Sequence, residues 1–381
     1  MKTAIIVTHG IVRGPAHEIR DFLRKIYFRT LYIYHPLLFL KQNYTLPSAF
    51  EIFQKDNLFY QGKAYHWEAP EPVLYLKDFL YTLIWVVRYA PKTDLFVGSG
   101  NLNAFAGLVL KRLGVVKKVI YYCIDYVPNR FENRLLNNLY HWIDKICAEK
   151  CNSTWNLSGR MIEGRERKWK KKFPRQQIVP HGSYTDQYTK SLISVDNFHK
   201  YEIVYMGTVL KKQGIQLVIK TFRQIIKKFP KARFLVIGSG EYKTNLEILT
   251  RKLNLEKYVN FAGYLDDNET KKRIAKAHIA VAPYNKKEDL FTYYADPGKV
   301  KFYLSLGIPL VITNVPLVAG DVVKAKCGLI VNYDEKELYT AIEKYFSDLN
   351  FSVSYRKNAL KYAKKFSWDK VYDKALIETK S

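Results

Sequence analysis

Short apolar or alternating runs recur along the chain, each followed by a stretch whose apolar positions return every three to four residues. Runs of the first kind at residues 2–8, 31–34, 95–97 and 119–123 predict strands, and the patterns at 105–113 and 133–147 predict helices between them. A more regular series then begins with a strand at 202–206 and continues as helix 214–229, strand 232–237 and helix 243–253. Strands at 258–261 and 279–282 follow, then a loop to Pro297, a helix over 298–306 and a strand over 309–313. Such alternation is the signature of parallel sheets covered on both faces by helices. Two series in 381 residues, more than one core usually supports, predict an α/β chain of two Rossmann-like domains whose parallel sheets face one another across a cleft. The expected division is residues 1–185, residues 186–365, and a C-terminal helix at 366–381 that returns to the first domain. The crossover between domains is expected within 176–195, around Pro180, His181 and Gly182.

Composition narrows the class. With 48% hydrophobic and 25% charged residues the chain reads as globular, neither disordered nor fibrous. Four cysteines, Cys123, Cys147, Cys151 and Cys327, are too few and too irregular for a disulfide framework and suit a reducing, cytoplasmic setting. Cys147 and Cys151 lie four apart on a predicted helix, but no second pair follows at zinc-site spacing, so no metal is expected. The N-terminus reads as a first strand instead of a signal peptide. The most apolar stretch, 79–87, is far below the ~20 residues a membrane span needs.

Charge adds partners. Against 35 Asp and Glu stand 62 Lys and Arg, a formal net charge of +27 that attracts polyanions. The densest basic segment, 160–175, carries Arg165, Arg167, Lys168, Lys170, Lys171 and Lys172 around Trp169. It suits an anionic membrane surface, at about 1 kcal/mol per basic residue near the lipid, hence a peripheral location at the inner face of the membrane. No helix-turn-helix, RNA-recognition or zinc-finger pattern accompanies the charge, so nucleic acid is not an expected partner.

Candidate chemistry concentrates in glycine turns where a strand gives way to a helix: Gly207 to Gly214, Gly238-Ser239-Gly240, and Ala295-Asp296-Pro297-Gly298-Lys299. Such turns gather at the carboxyl edge of a parallel sheet, where glycine lets backbone amides approach a phosphate and a helix N-terminus adds positive potential. Pro297 suits a first helical turn, Gly298 leaves the amides open, and Lys299 adds a charge for a diphosphate. Asp296 is expected either to hold sugar hydroxyls or to cap the helix. The paired acids Asp266-Asp267 read as an exposed turn, and no Asp-x-Asp motif is present. Gly238-Ser239-Gly240 is followed by Lys243 where a dinucleotide fingerprint wants a third glycine, which argues against a dehydrogenase.

In order and spacing these pieces resemble the retaining GT-B glycosyltransferases of glycosyltransferase family four. The matching segments are Ile178-Val179-Pro180-His181-Gly182, Tyr205-Met206-Gly207, Phe234 through Gly240, Val259 through Tyr264, Ala277 through Pro283, Tyr303 through Val311, and Phe366-Ser367-Trp368-Asp369. The resemblance implies a metal-independent hexosyltransferase that moves a sugar from a nucleoside diphosphate sugar to a glycan or lipid-linked acceptor. By this reading Gly207, Thr208, Lys212, Gln213, Gly238, Gly240, Gly263, Tyr264, Pro297, Gly298 and Lys299 bind the donor. His9, Gly10, Arg13, Gly14, Ser99 and Asn101 face the acceptor or the cleft, and Asp125, Asp296 and Lys299 are the catalytic candidates. His181, where the family commonly has Asn, is assigned a structural role.

The departures are specific. Thr208 and Gln213 stand where the family has Arg and Lys, leaving Lys211, Lys212 or Lys299 to supply the charge. Tyr294 and Phe302 stand where it has a pair of glutamates. These losses keep open a catalytically inactive glycan- or sugar-nucleotide-binding protein. A non-hydrolysing sugar-nucleotide epimerase shares the architecture.

Overall fold

The computed structural model describes residues 1–10, 13–36, 46–184, 197–288 and 290–380. It divides into two compact units, Met1–Pro180 with Trp368–Ser381, and His181–Ser367. The boundary expected after residue 185, the later part of the 176–195 crossover and positions 11–12 of the first glycine loop lie outside the described residues.

The first unit is built on an eight-stranded sheet. Its strands are β1 (Thr3–His9), β2 (Arg29–His35), β3 (Ala49–Gln54), β4 (Asn57–Lys63), β5 (Thr93–Ser99), β6 (Val116–Cys123), β7 (Ser153–Asn156) and β8 (Gln176–Ile178), in the order β4-β3-β2-β1-β5-β6-β7-β8. Four residues of β1, Ala4 to Val7, are wholly buried, as expected for a strand covered on both faces. From β2 through β1 to β8 the pairing is parallel, but β3 and β4 form an antiparallel hairpin on the edge. An all-parallel expectation missed this hairpin because its turn is Lys55-Asp56, not Asn-Gly. Both residues nonetheless adopt the left-handed conformation, φ 46° and 67°, that a two-residue hairpin requires.

Among the described residues the helices between these strands are α1 (Pro15–Ile26), α2 (Glu71–Tyr89), α3 (Asn101–Arg112), α4 (Arg134–Lys150) and α5 (Gly159–Trp169). The C-terminal helix, Trp368–Lys380, packs on α1: Tyr372 donates to the Pro15 carbonyl at 2.8 Å, and the Trp155 indole donates to Thr379 Oγ1 at 3.0 Å. Gly98 is required by close packing, since a Cβ there would lie 2.3 Å from the Ala104 amide of α3.

Beneath α4 and α5 lies a buried polar knot. The fully enclosed Arg165 guanidinium grips Asp144 through two bonds of 2.8 and 3.0 Å and also donates to Asn156 Oδ1 and Gln176 Oε1. Tyr121 donates to the same carboxylate at 2.7 Å, and burial pushes the adjoining Cys123 thiol up to about 11. Such a planar, bidentate arrangement satisfies a charge that burial alone would make very costly.

The second unit carries six parallel strands, β9 (Glu202–Met206), β10 (Arg233–Ile237), β11 (Val259–Gly263), β12 (Ile279–Ala282), β13 (Leu310–Thr313) and β14 (Gly328–Val331), in the order β11-β10-β9-β12-β13-β14. The first three strands step one way from β9 and the next three step the other. This is the doubly wound order, with its switch point between β9 and β12. Its helices are α6 (Ile215–Lys228), α7 (Lys243–Lys252), α8 (Asp267–Lys276), the single turn α9 (Phe291–Tyr294), α10 (Gly298–Ser305), α11 (Val318–Lys324), α12 (Glu335–Ser347) and α13 (Leu349–Ala363). Asp266 and Asp267 are exposed, as expected, and Asp266 in addition is the N-cap of α8, accepting from the Glu269 amide at 2.9 Å.

Removing one partner of the Arg165–Asp144 pair strands a buried charge. Asp144→Ala is expected to lower urea-unfolding stability by about 3–5 kcal/mol, whereas Asp144→Leu combined with Arg165→Met should recover most of that loss.

Candidate functional site

At the carboxyl edge of the second sheet the glycine turns pack backbone on backbone. A Cβ on Gly238 would lie 2.1 Å from the Gly207 carbonyl oxygen, and one on Gly240 would lie 2.3 Å from that of Val209. Gly207 and Gly238 hold φ of 135° and 126°, in the region that only glycine visits readily. Backbone hydrogen bonds from the Gly207 amide to the Ile237 carbonyl, from Val209 to Ser239 and from Gly238 to Gly263 lock these two turns to each other and to the end of β11. Gly238 and Gly240 are therefore fixed first by turn-on-turn packing. Gly263, at φ 70°, leaves open space, and the neighbouring Tyr264 is exposed.

Lys299, in the first turn of α10, reaches into this edge. Its ammonium donates to Gln213 Oε1 at 2.8 Å and to Tyr205 OH at 2.9 Å, and the Tyr205 hydroxyl donates onward to the Thr208 carbonyl. A Cβ on Gly207 would stand 2.9 Å from Lys299 Nζ, so only glycine leaves the ammonium its place. Both acceptors are neutral, and burial alone lowers the lysine from 10.5 to about 7. Lys299 thus occupies the ground between Thr208 and Gln213, the two positions where the resembled family has Arg and Lys. The other two candidates for that charge are engaged nearby: Lys211 pairs with Glu288 at 3.1 Å, and Lys212 lies over the Phe291 ring.

Asp296 does not cap α10, whose N-cap is Pro297. Its buried carboxylate accepts from the His181 amide at 2.7 Å, and the His181 imidazole lies against Gly298, where a Cβ would be 2.5 Å from Nε2. His181, assigned from sequence to a structural role, therefore stands at the N-terminus of α10 beside Asp296, Pro297 and Gly298. Tyr294 is buried, and Phe302 packs against the core of this unit, so the two positions that hold glutamates in the resembled family serve packing.

In the first unit the expected residues meet only partly. His9 ends β1, and Gly10, at φ 131°, donates its amide to the His35 carbonyl. His9 Nδ1 lies 3.1 Å from the Asn103 amide nitrogen, which makes Nδ1 the acceptor, and Nε2 lies 3.2 Å from Asp78 Oδ2. Asp78 is wholly buried, and its Oδ1 also accepts from Lys77 at 2.8 Å and Ser48 at 2.7 Å. Burial works to raise this carboxyl, but the His35 and His9 contacts hold it well below the usual carboxylate range. Burial pushes the neighbouring His35 down to about 4.

Arg13 is ion-paired with Glu18 and Asp21, and Gly14 is the extended N-cap of α1. Ser99 is buried, and the Asn101 amide is spent on the Tyr140 carbonyl, so both serve packing instead of presenting an open polar group. Asp125 is exposed on the loop after β6. Asp78, Lys77, His35 and Asn103 were missed from sequence. The available signal was a Lys-Asp pair on the same helical face as Leu74 and Trp85, where an apolar residue is expected.

Comparison with known proteins bears on the fold. Residues 193–366 match the family model of glycosyl transferases group 1. An uncharacterized glycosyltransferase of Haemophilus influenzae is 23% identical over 182 residues, which is 48% of this chain and 48% of that protein. The chain thus spans about half the length of the curated relative it matches. Among solved structures, HepE of Anabaena in complex with UDP superposes with a TM-score of 0.71 at 12% identity, covering 99% of each chain. WaaG, a glycosyltransferase involved in lipopolysaccharide biosynthesis, gives 0.69 at 14% identity over the full length of both. The fold is an α/β fold with parallel sheets that matches those of GT-B glycosyltransferases.

Because the pKa of Lys299 is lowered by folding, the unfolded chain binds more protons between about pH 7 and 10, and folding stability is expected to rise with pH across that window. The Lys299 amine should titrate near pH 7 by NMR of the labelled side chain, and Lys299→Met should flatten the stability profile there.

Proposed function

We propose that the chain is a glycosyltransferase that moves a hexose from a nucleoside diphosphate sugar to a glycan or lipid-linked acceptor, with retention at the anomeric carbon and without a metal. The carrying observation is Lys299. A desolvated ammonium, held on neutral oxygens beside two interlocked glycine turns and a helix N-terminus, is suited to an incoming diphosphate. On this reading Lys299 and the amides of Gly298 and Lys299 stabilise the departing diphosphate, and the donor lies along the edge from Gly207 to Tyr264. Asp296 and His181 hold the start of α10 in position. UDP is the first nucleotide to test, because HepE is a UDP-bound structure of this fold. The working location is the cytoplasmic face of a membrane, where lipid-linked acceptors are presented.

A diphosphate beside Lys299 favours the charged amine, so binding above pH 7 takes up a proton and weakens as pH rises. Isothermal titration with UDP, GDP and ADP is expected to give one preferred nucleotide whose affinity survives EDTA. Lys299→Met should cost about 1.5–3 kcal/mol, the worth of a hydrogen bond to a charged group. No affinity for any nucleoside diphosphate would sink the proposal.

One observation favours a second reading, a sugar-nucleotide-binding protein without turnover: Tyr294 and Phe302 serve packing where the resembled family carries glutamates. The two readings separate on incubation with the preferred nucleotide sugar alone. Slow release of free nucleotide, abolished by Lys299→Met, is expected of the transferase; binding with no release over days would favour the second.

A further inference from the structure

Helix α2 is amphipathic in the wrong sense for a helix on the surface of a soluble domain. Its buried face carries Lys77, Asp78 and Thr82 beside Leu74, Trp85 and Val86. Its exposed face carries Val73, Leu76, Leu80, Ile84 and Val87, spaced three or four apart and each 42–58% accessible. The one exposed charged residue of this 19-residue helix is Arg88, near its end. Scattered exposed leucines are ordinary, but a continuous apolar stripe along a helix marks an interaction surface. Among the described residues no helix is long and apolar enough to cross a membrane, so α2 does not span one.

The stripe belongs to a larger surface. Phe79 of α2 stacks on Phe105 of α3, and α3 packs in turn on α4. Helix α4 repeats the pattern, with Leu135, Leu139 and Trp142 exposed at 49–79% along one side. Beyond it, Asp144 is bonded to Arg165 of α5, and Lys145 lies 4.6 Å above the Trp169 ring. Helices α2 to α5 therefore form one layer, apolar at one end and, through the exposed Arg167, Lys168 and Lys170, basic at the other. Trp169 is half-buried with its indole nitrogen enclosed, whereas Trp142 is exposed.

We propose that this helical layer docks on an anionic lipid bilayer, with the outer stripe of α2 and the Leu135–Trp142 side of α4 entering the headgroup region and the basic end of α5 resting on anionic headgroups. Charge decides the occupant. A second copy would bring another +27 against the first, and the α2 stripe offers no acid to meet it, whereas an anionic bilayer is complementary to both ends of the layer. This does not rest on the transferase reading.

The test is co-sedimentation of the full chain with phosphatidylglycerol–phosphatidylcholine vesicles and with phosphatidylcholine vesicles alone. The unaltered chain is expected to partition onto the anionic vesicles, with Trp142 emission quenched by acyl-brominated lipid and the quenching reduced in Trp142→Phe. The triple variant Leu76→Glu, Leu80→Glu, Ile84→Glu should lose at least tenfold in partitioning. Its positions face solvent, so its thermal melting and nucleotide affinity should match the parent, which separates lost docking from misfolding and from failure of the functional proposal. Unchanged partitioning of the triple variant overturns the proposal, as does absence of binding by the parent. A parent that sediments as a dimer, and a triple variant that sediments as a monomer, would overturn it in favour of a self-association face.

Discussion

Placing an ammonium among neutral oxygens costs free energy unless something returns charge to the site, and the second unit is arranged around that constraint. Lys299 reaches its position only because Gly207 has no side chain, because Gly238 and Gly240 let one turn settle on the carbonyls of another, and because the switch between β9 and β12 leaves the edge open there. The lysine's pKa near 7 follows from the same packing. An anion bound beside it would remove the penalty, which is the physical basis of the proposed diphosphate site. That links sheet order, turn chemistry and the proposed function in one physical chain.

The first unit handles buried charge differently. Its two polar knots, Asp78 with Lys77 and Arg165 with Asp144, are closed: each carboxylate meets its cation at 2.8 Å and collects further donors. Closed knots of this kind are costly to break and fix the geometry of the elements that carry them. His9 is held by one of these knots through Asp78 and by α3 through Asn103, which presets its tautomer at the end of β1. A histidine held at both ring nitrogens is fixed in orientation.

The inverted amphipathicity of α2 follows from the first knot. Drawing Lys77, Asp78 and Thr82 inward to serve His9, His35 and Ser48 turns the opposite side of the helix, which is apolar, to the outside. Interior polarity and exterior apolarity are therefore two sides of the same choice. A surface shaped by an internal polar site is then available for an environment other than bulk water.

Periodicity alone located the central strands of both sheets and several of their helices: the strands Glu202–Met206 and Ile279–Ala282 match their predicted limits, the other named elements shift by up to four residues, and β7, β8, β14 and helices such as α2 and α5 were not named. Local pattern sufficed because strand and helix periods differ strongly and the glycine turns punctuate them. The β3–β4 hairpin escaped because its Lys55-Asp56 turn has no glycine to announce its backbone. At the site, sequence singled out Lys299 and the glycines, since a charge or a missing side chain is visible in one dimension. It did not determine that Lys299 meets Gln213 and, through Tyr205, the Thr208 carbonyl, that His181 sits at Gly298, or that Asp78 gathers two histidines, a lysine and a serine. Those pairings join residues up to about a hundred positions apart, and a hydrogen bond has no sequence period: only the packing of helices onto sheets brings its donor and acceptor within reach.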